Sequence, residues 1–495
     1  MLCFMLKLCF EEIGGCCMTM KGETFTAKIH RLNDKGQGQA AIWRENEKGN
    51  ERKLRLTIPY TLVDEEVQVT VERPEKRRWK CNPDEIIKPH PDRVEARCPH
   101  FTLCGGCIWQ HFSYEGQLRT KTAYVKEMIA NAGFDEGLVA DTFGMEDPWF
   151  YRNKMEFTFA VDGSMGLHEQ GNFRRIIPLE TCYLMHDEMK DAVLEVAKWV
   201  KKHEYPGYNK DTHEGIFRHV MVRRGFATGE ILLAIFATEA PENIAHLDEL
   251  VETIEENYPS VKGLLWMENR EIADRAQAEA EHVLLGRDFI YDELMGYRYR
   301  LWFDTFFQPN PTQAENLVKY ALEFANVKET DTMIDLFCGV GTFSLPFAKA
   351  AKSLAGIEIV ETSIESAKRN AEDNGIDNTY FLAKDARRGI DDVLAEFGTP
   401  DVLLLDPPRS GAGGKVMRRI GRAQPERVVY VSCNPTSFAV DIKQLAEFGY
   451  TLEKVQPVDQ FPHTHHVELV ALLTKEMSNK NKVLRFKIKF CFIVK

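Results

Sequence analysis

The sequence predicts a multidomain α/β protein with a small N-terminal β-barrel, an α+β middle region and a C-terminal Rossmann-like domain. Three observations predict it. The chain has 495 residues with 44% hydrophobic content, enough to fill roughly two to four separate cores. Short β-rich runs alternate with turns over residues 22–89. After Gly296, strand-like and helix-like segments alternate regularly.

The first domain is predicted over residues 21–89. Its β-rich runs are short, which is typical of a small barrel of the oligonucleotide-binding kind; they are Glu23 to Ile29, Gly36 to Ala41, Leu54 to Pro59 and Glu66 to Glu72. The domain closes with cations around one aromatic ring, namely Arg73, Lys76, Arg77, Arg78, Trp79 and Lys80. Such a run can bind phosphates and stack a base. The alternative is a solvated turn with a packed tryptophan.

The middle domain is predicted over residues 90–295. It mixes a helix over Tyr114 to Ala132 with strands near Met155 to Ala160 and Ile231 to Thr238. Two groups of residues add basic character: the run Tyr151 to Lys154, and the cluster Arg218, His219, Arg223 and Arg224. RNA contact and charges on an edge strand explain these groups equally well.

The third domain is predicted over residues 296–477. Its strands are expected at Asp331 to Phe337, Ser353 to Ile359, Thr379 to Ala383, Val402 to Leu405 and Val428 to Ser432. One helix begins at Phe343 and another runs through Ala367. Strands separated by helices indicate a parallel, doubly wound sheet.

A cofactor crevice is predicted where these strands end. Gly339 and Gly341 follow the first strand and allow a ligand to approach the backbone closely. Glu358 ends the next strand, nineteen residues after Gly339, where its carboxylate can accept hydrogen bonds from ribose hydroxyls. Asp385 and Asp406 end two further strands. Without a third glycine or a P-loop lysine, the pattern favours S-adenosylmethionine over a dinucleotide or ATP. The alternative is that these acids only cap helices.

Charge and cysteine content limit the class of protein. The net charge of −12 argues against a uniformly basic nucleic-acid coat, although local patches decide docking on phosphates. The apolar run Leu2 to Phe10 is short and broken by Lys7, so we expect neither a membrane anchor nor secretion, and a cytoplasmic protein. Twelve cysteines then do not predict disulfides.

Both ends of the chain lie outside the domain pattern. Residues 1–20 form a leader with four cysteines, and Met20 is an alternative start. Residues 478–495 form a basic tail that contains Cys491, and neither segment has a functional interpretation.

Four cysteines precede the third domain in a pattern typical of a metal site. Cys98, Cys104 and Cys107 are spaced CxxxxxCxxC, and Cys182 is a distant candidate for a fourth ligand. Four thiolates suit either tetrahedral zinc or a [4Fe-4S] cluster. The spacing alone leaves both open.

Several motifs resemble those of the RNA uracil-C5 methyltransferase family. They are Ser432-Cys433-Asn434-Pro435, Asp406-Pro407-Pro408-Arg409-Ser410-Gly411 and Phe306-Phe307-Gln308-Pro309-Asn310. The resemblance extends over residues 21–475 and includes an N-terminal barrel similar to a TRAM domain. It is strongest to the bacterial 23S rRNA branch that modifies the site numbered 1939. That branch often has asparagine where this chain has Thr342.

The resemblance implies roles for individual residues. Cys433 is the nucleophile that adds to uracil C6, and Glu468 is the base that removes the C5 proton. Arg409, in the second of these motifs, is a further site residue that the resemblance implies. The implied cofactor contacts are Gln308, Phe337, Thr342, Glu358, Asp385 and Asp406.

The resemblance also implies cofactors and partners. It favours a [4Fe-4S] cluster over zinc at Cys98, Cys104, Cys107 and Cys182. The expected partner is 23S rRNA, free or in early ribosomal particles, with no obligate protein partner. The alternatives are a tRNA uracil-54 methyltransferase, a noncatalytic RNA-binding iron-sulfur protein, and an enzyme that methylates a small molecule or a protein.

A metal site is not expected at the histidines of the run Phe461 to Glu468. His463, His465 and His466 occur there, but only two would share one side of a strand, and no cysteine is nearby.

Overall fold

The computed structural model describes residues 20–45, 51–272 and 278–475. The predictions for the leader up to residue 19 and for the tail from residue 478 lie outside the described residues. Two compact units are present. Within the described residues, the first comprises residues 20–95 and 108–113, and the second comprises residues 96–107 and 114–475.

The first unit is a six-stranded sheet in the order β1-β5-β6-β4-β3-β2. The strands are β1 Thr24–Lys28, β2 Arg31–Leu32, β3 Gly38–Glu45, β4 Glu51–Ile58, β5 Glu66–Glu75 and β6 Arg78–Lys88. Alternate residues of β5 point into the core, where Val67, Val69 and Val71 are buried. β1 and β2 are consecutive along the chain yet lie at the two ends of the strand order, and the amide of His30 between them donates to Gln39 O at 3.0 Å.

The second unit begins with a seven-stranded sheet in the order β13-β12-β11-β10-β7-β8-β9. Its strands are β7 Lys154–Phe159, β8 Met165–Glu169, β9 Asn172–Pro178, β10 Phe217–Arg224, β11 Ile231–Ala237, β12 Val261–Glu268 and β13 Ala280–Gly286. The described residues of this part of the chain form three α-helices: α1 Tyr114–Asn131, α2 Asp187–Lys202 and α3 Leu247–Asn257. The hairpin of β14 Phe289–Leu294 and β15 Tyr297–Trp302 follows.

Helix α2 shows how local sequence makes one of these elements. His186 caps its first turn, acidic residues begin it, and Lys201 and Lys202 end it, in agreement with the helix dipole. Its apolar residues recur at helical spacing and bury one face, including Met189, Val193, Val196 and Val200.

The second sheet of this unit has the order β18-β17-β16-β19-β20-β22-β21. Its strands are β16 Thr332–Leu336, β17 Ser353–Glu358, β18 Thr379–Ala383, β19 Val402–Leu405, β20 Arg427–Ser432, β21 Tyr450–Val458 and β22 Glu468–Lys475. Strands β16 to β20 are parallel, as the sequence predicts. In contrast, β22 runs antiparallel to both β20 and β21.

Helices cover both faces of this sheet. They are α4 Pro311–Ala325, α5 Ser344–Ala350, α6 Glu361–Asp373, α7 Ala386–Phe397, α8 Gly414–Ala423 and α9 Pro435–Ala446. Apolar residues of α4, α5 and α6 belong to one core, and those of α1, α7, α8 and α9 belong to another. The doubly wound α/β prediction is therefore confirmed for this part of the chain. Among the residues that the structure describes, no helix combines the length and apolar character needed to span a bilayer.

Candidate active site

The turn after β16 brings the backbone close to the predicted cofactor crevice. Phe337, Gly339 and Gly341 all have positive φ, at 68°, 54° and 89°. Glycine adopts this conformation without strain, whereas Phe337 is a non-glycine exception. The amides of Phe337 and Cys338 donate to Ile357 O at 2.8 and 3.1 Å, which ties the turn to the end of β17. The predicted glycine turn therefore lies at the carboxyl end of the first strand.

A pocket of about 360 Å³ opens beside this turn. Three of the predicted cofactor residues, Phe337, Glu358 and Asp385, line it, and the segment that follows β19 forms another part of its wall. The residues contributed by that segment and by the start of α8 are Pro408, Gly411, Ala412, Gly413, Gly414, Lys415 and Val416. A crevice at the carboxyl ends of parallel strands is where this class of fold binds nucleotide-like ligands.

Two of the acids in the pocket also cap backbone amides. One oxygen of Glu358 accepts hydrogen bonds from Ile359 N at 2.7 Å and Val360 N at 3.0 Å. Asp385 caps α7 by accepting from Arg387 N, and the hydrogen bond from the Arg387 side chain lowers its pKa. The helix-capping alternative is therefore correct for Asp385 but not for Glu358, whose two amide donors precede α6. It does not exclude ligand binding, because each carboxylate has a second oxygen and both line the pocket.

Thr342 is placed differently from these residues. It is buried, its carbonyl accepts a hydrogen bond from the Tyr299 hydroxyl at 3.3 Å, and it is not among the described residues that line the pocket. Its contact with the cofactor stays a prediction.

Strand register brings the predicted nucleophile and base together. Ser432 of β20 is paired with Leu469 of β22 in an antiparallel ladder. This is the last pair of the ladder: Cys433 directly follows Ser432 after the end of β20, and Glu468 directly precedes Leu469 at the start of β22. Residues that flank the last pair of an antiparallel ladder start close together, and the charge of Glu468 acts on Cys433. The antiparallel strand β22 therefore positions Glu468 beside Cys433.

Asp406 and Gln308 complete this group. Asp406 follows β19, and Gln308 Nε2 lies 3.5 Å from its carboxylate. Gln460 Nε2 in turn donates to Gln308 Oε1 at 3.2 Å. Gln308 is only 5% exposed, so its amide orientation is held by these two partners. The predicted residue Gln308 is thereby connected to the predicted residue Asp406.

The electrostatics of the group favour neutral acids and a neutral thiol. Burial, followed by the nearby charges of Glu468 and Asp406, raises the pKa of Cys433 to about 11. Burial and the charge of Asp406 raise the pKa of Glu468 to about 8. Burial also raises the pKa of Asp406 to about 7, with a contribution from Asp335. Strongly shifted pKa values in one crevice are typical of catalytic groups.

Arg409 counteracts the rise in the pKa of Cys433, and it connects two of the motifs. Its guanidinium lies 3.1 Å from His466 Nδ1, and its positive charge lowers the pKa of Cys433. Its carbonyl accepts from Asn434 Nδ2 at 2.9 Å and Ser437 Oγ at 3.2 Å. The segment after Asp406 is therefore tied to the start of α9, directly after Cys433.

The loop of residues 461–467 is held by residues that the sequence reasoning missed. The prediction that its histidines lie on a strand is wrong, because β22 begins only at Glu468. His463 stacks on Trp149 with ring centroids 3.8 Å apart, and its amide donates to Gln117 Oε1 at 2.8 Å. Buried Lys121 donates to Asp459 Oδ1 at 2.5 Å. No sequence signal pointed to Lys121, since its partner lies 338 residues away.

Three of the four residues in the predicted basic cluster of the middle region are buried within the fold. Arg218, His219 and Arg223 are at most 3% exposed, and they lie on β10, the central strand of its sheet. Arg218 Nη1 donates to Asn269 Oδ1 at 2.8 Å and to two carbonyls, while Arg223 donates to Thr305 O. Both alternatives, RNA contact and edge-strand charge, are therefore wrong for these residues.

The run of residues 151–154 is also largely buried and supports the active site. Tyr151 donates through its hydroxyl to Pro462 O at 3.1 Å, and the Asn153 side chain donates to Gln308 O at 2.9 Å. In the first unit, Trp79 packs against the core, whereas Arg73, Lys76 and Arg77 are exposed near the turn between β5 and β6. RNA contact by those three residues stays a prediction.

The four predicted metal ligands are neighbours in the second unit. Burial raises the pKa values of Cys98, Cys104 and Cys182, and Cys104 also interacts electrostatically with the other two thiols. Gly106 N donates to Cys104 Sγ at 3.3 Å. Among the described residues, no three of these sulfur atoms lie within 4.8 Å of one another. Tetrahedral zinc with Zn–S bonds of about 2.3 Å requires sulfur atoms about 3.8 Å apart.

Comparisons with known proteins agree with this architecture. A family model described as tRNA (Uracil-5-)-methyltransferase matches residues 244–476. An uncharacterized RNA methyltransferase of Caldanaerobacter subterraneus subsp. tengcongensis is 35% identical over 461 residues, which cover 92% of this chain and 99% of the relative. Another from Halalkalibacterium halodurans is 37% identical over 421 residues, which cover 84% and 92% of the two chains.

One solved structure is similar over almost its whole length. The tRNA (uracil-54, C5)-methyltransferase of Pyrococcus abyssi, in complex with S-adenosyl-L-homocysteine, has a TM-score of 0.72 and 28% identity. The match covers 91% of this chain and 99% of that chain.

Proposed function

Because the chain belongs to the RNA uracil-5 methyltransferase family and is an S-adenosylmethionine-dependent RNA methyltransferase, we propose that it methylates C5 of a uridine in 23S rRNA through a covalent bond between Cys433 and C6. The observation that carries this proposal is the register of β20 and β22, whose last pair, Ser432 and Leu469, is flanked by Cys433 and Glu468. A thiol and a carboxyl group at adjoining ends of neighbouring strands match the two roles that the reaction needs.

Cys433 supplies the nucleophile in this proposal. Uracil C5 is weakly nucleophilic by itself. When the thiolate forms a bond to C6, the electron pair of the C5–C6 double bond moves onto the O4 enolate, which makes C5 nucleophilic. The raised pKa of Cys433 means that the thiol needs help to ionise, and Arg409 is the nearby cation that favours the thiolate.

Glu468 completes the reaction in this proposal. After C5 has taken up a methyl group, the carboxylate removes the C5 proton, the double bond re-forms and the thiolate leaves C6. A pKa of about 8 suits this step, since the group is a stronger base than an ordinary glutamate. Its position next to Cys433 keeps the nucleophile and the base within reach of adjacent ring carbons.

The cofactor residues present fit S-adenosylmethionine, which supplies the methyl group. Glu358 has a free carboxylate oxygen to accept ribose hydroxyl hydrogens, and Phe337 offers a ring face in the same pocket. We propose that Asp385 lies near the adenine and that Gln308 and Asp406 hold the part of the ligand nearest to Cys433. A contact from Thr342 is also part of the proposal.

We propose that the cysteine site holds a [4Fe-4S] cluster. Four cysteine thiols are an appropriate ligand set for such a cluster. Cys98, Cys104, Cys107 and Cys182 would hold it. We propose that it orders the middle region rather than carrying electrons.

The choice of 23S rRNA rests on the accessory regions. The β-rich first unit has consecutive strands at the two ends of its strand order, which suits a closed barrel of the TRAM kind, and its exposed cations Arg73, Lys76 and Arg77 can contact phosphates. A tRNA uracil-54 methyltransferase is the second candidate. It is favoured by the match to the Pyrococcus abyssi enzyme over 91% of this chain.

Mapping of 5-methyluridine tests the substrate. Total rRNA and tRNA from cells with and without the gene would be digested and mapped by mass spectrometry. Loss of one methyl mark in 23S rRNA is expected, with restoration by the wild-type gene and not by Cys433→Ala. Loss of 5-methyluridine from tRNA alone would show that the substrate is tRNA, while the proposed reaction would be unchanged.

A trapping experiment tests the covalent step. In Glu468→Gln, the proton at C5 cannot be removed, so the methylated RNA should remain attached to Cys433 as a slowly migrating species under denaturing conditions. Cys433→Ala/Glu468→Gln is the matched control and should not form it. Absence of the species in both proteins, with methyl transfer retained in Cys433→Ala, would contradict the mechanism.

A further inference from the structure

A hairpin next to the cysteine site projects an aromatic ring and two cations into solvent. Strands β8 and β9 are joined by a tight turn at Gly171, whose φ is +77°. Phe173, directly after this turn, is 78% exposed, the highest value of any large apolar side chain in the described part of the chain. Its ring contacts His168 at a centroid distance of 5.8 Å. An aromatic ring this exposed at a hairpin tip contributes little to a core.

The two arginines that follow are available for an anion. The side chains of Arg174 and Arg175 are 83% and 66% exposed. Arg174 pairs with Asp211 at 3.4 Å, and Arg175 pairs with Glu169 at 3.1 Å. Exposed ion pairs of this kind contribute little to stability and are readily exchanged for phosphate.

The cysteine loop holds the base of this hairpin. Gln170 N donates to Leu103 O at 2.9 Å, and Gly105 N donates to His168 O at 3.2 Å. Cys104 forms an isolated antiparallel bridge with Glu169. The loop that carries Cys98, Cys104 and Cys107 is thus bonded through its backbone to both residues that flank Glu169. Displacement of the loop would displace the hairpin tip.

We propose that residues 169–175, the hairpin tip, bind the RNA substrate, and that the cysteine loop sets the position of this tip. Phe173 stacks on an unpaired base, and Arg174 and Arg175 contact the adjacent phosphates. Aromatic stacking flanked by cations is how proteins bind single-stranded segments and loops of RNA. The proposal rests on the RNA substrate of the proposed function. It gives the cysteine site a role in substrate binding without electron transfer.

Binding measurements on the full-length protein test the tip. The probe is an unmodified 23S rRNA transcript, titrated over a range of KCl concentrations. Phe173→Ala should weaken binding about 5-fold to 150-fold, the usual effect of losing one stacked base. Arg174→Gln/Arg175→Gln should reduce the slope of log affinity against log salt by about 1.4, because each single-strand phosphate contact contributes about 0.7.

A matched control removes two exposed cations elsewhere. Lys328 and Lys352 precede β16 and β17, at the edge of the sheet opposite the pocket, and Lys328→Gln/Lys352→Gln should leave the slope unchanged. If the hairpin variants bind the transcript like the wild type, the hairpin proposal is wrong even though methylation proceeds. If the wild type binds the transcript but methylates no uridine in it, the proposed function is wrong, and this result is distinct from a failure of the hairpin proposal.

Cys104→Ser tests the coupling. Hydrogen exchange of residues 169–175 should become faster, and affinity for the transcript should fall, while affinity for S-adenosylhomocysteine stays the same. If exchange and RNA affinity are both unchanged in Cys104→Ser, the loop does not position the tip.

Discussion

The two seven-stranded sheets of the second unit both bury ionisable side chains, but they place them at different points along their strands. In the sheet of β7 to β13, Arg218 and Arg223 lie within the central strand β10, and backbone carbonyls accept hydrogen bonds from their guanidinium groups. In the sheet of β16 to β22, Asp406 and Cys433 directly follow strands and Glu468 begins one.

The difference shows how position on a strand separates structural from chemical roles. A side chain in the middle of a buried strand is enclosed by neighbouring residues, so a ligand cannot reach it. A side chain at a strand end faces the crevice, where burial shifts its pKa and a ligand can reach it. Cations within β10 therefore belong to the core of the fold, whereas the acids and the thiol at strand ends are available to bind a ligand or to react.

The largest effect is expected from substitution of Cys433, one of the residues at the strand ends. Cys433→Ala should lower the rate of methyl transfer to RNA by about 10⁴-fold or more, because a nucleophile has no substitute. Cys433 is not fully buried, so the melting temperature should hardly change. Single-turnover kinetics with labelled methyl donor and thermal denaturation measure the two quantities. If Cys433→Ala retains more than a tenth of the wild-type rate, Cys433 has no chemical role that distinguishes it from the buried residues of β10.

Substitution of Arg218 in the middle of β10 should have the opposite effect, since stability should fall while the rate is retained. Arg218→Met should lower the free energy of unfolding by about 2–4 kcal/mol, since it leaves buried carbonyls without donors. Below its melting temperature the methyl-transfer rate should stay near wild type. Arg270, exposed and paired with Glu268, is the control, and Arg270→Met should cost less than about 1 kcal/mol. Equal losses in both variants, measured by chemical denaturation, would show that burial is not the cause.

A smaller effect is expected at the end of β17. Glu358→Gln should weaken binding of S-adenosylhomocysteine about 10-fold to 100-fold, because charged hydrogen bonds to the ribose become neutral ones. Isothermal titration calorimetry measures this. Glu361 begins α6 and is exposed, so Glu361→Gln is the matched charge change and should bind like wild type. Unchanged affinity in Glu358→Gln would leave that carboxylate with its capping role alone.

The smallest expected effect concerns the thiol of Cys433. Its pKa is raised to about 11 by burial and then by the charge of Glu468, so removing that charge lowers the pKa. Between pH 8 and 9, where the thiolate is the minor form, Glu468→Gln should therefore make alkylation of Cys433 faster by less than about tenfold. Peptide mass spectrometry measures the rate. Arg409→Gln should slow it, because Arg409 lowers the pKa, and equal rates in all three proteins would contradict this electrostatic account.

The sequence predicts much of the second sheet and its cofactor crevice. Local signals suffice there: a glycine turn after a strand, an acid at the end of the next strand, and alternating strand and helix patterns. The same local reasoning failed for β10. A strand with several basic residues resembles an edge strand, and the central position of β10 follows only from its pairing with β7 and β11.

By itself, the sequence determined the parallel part of the doubly wound fold, the glycine turn at Gly339 and the acids at strand ends, because these depend on neighbours along the chain. Only the tertiary structure decided that Glu468 lies beside Cys433, that Lys121 pairs with Asp459, and that Phe173 is exposed beside the cysteine loop. Strand pairing, burial and exposure depend on residues that are distant in sequence, and no local pattern encodes which of them meet.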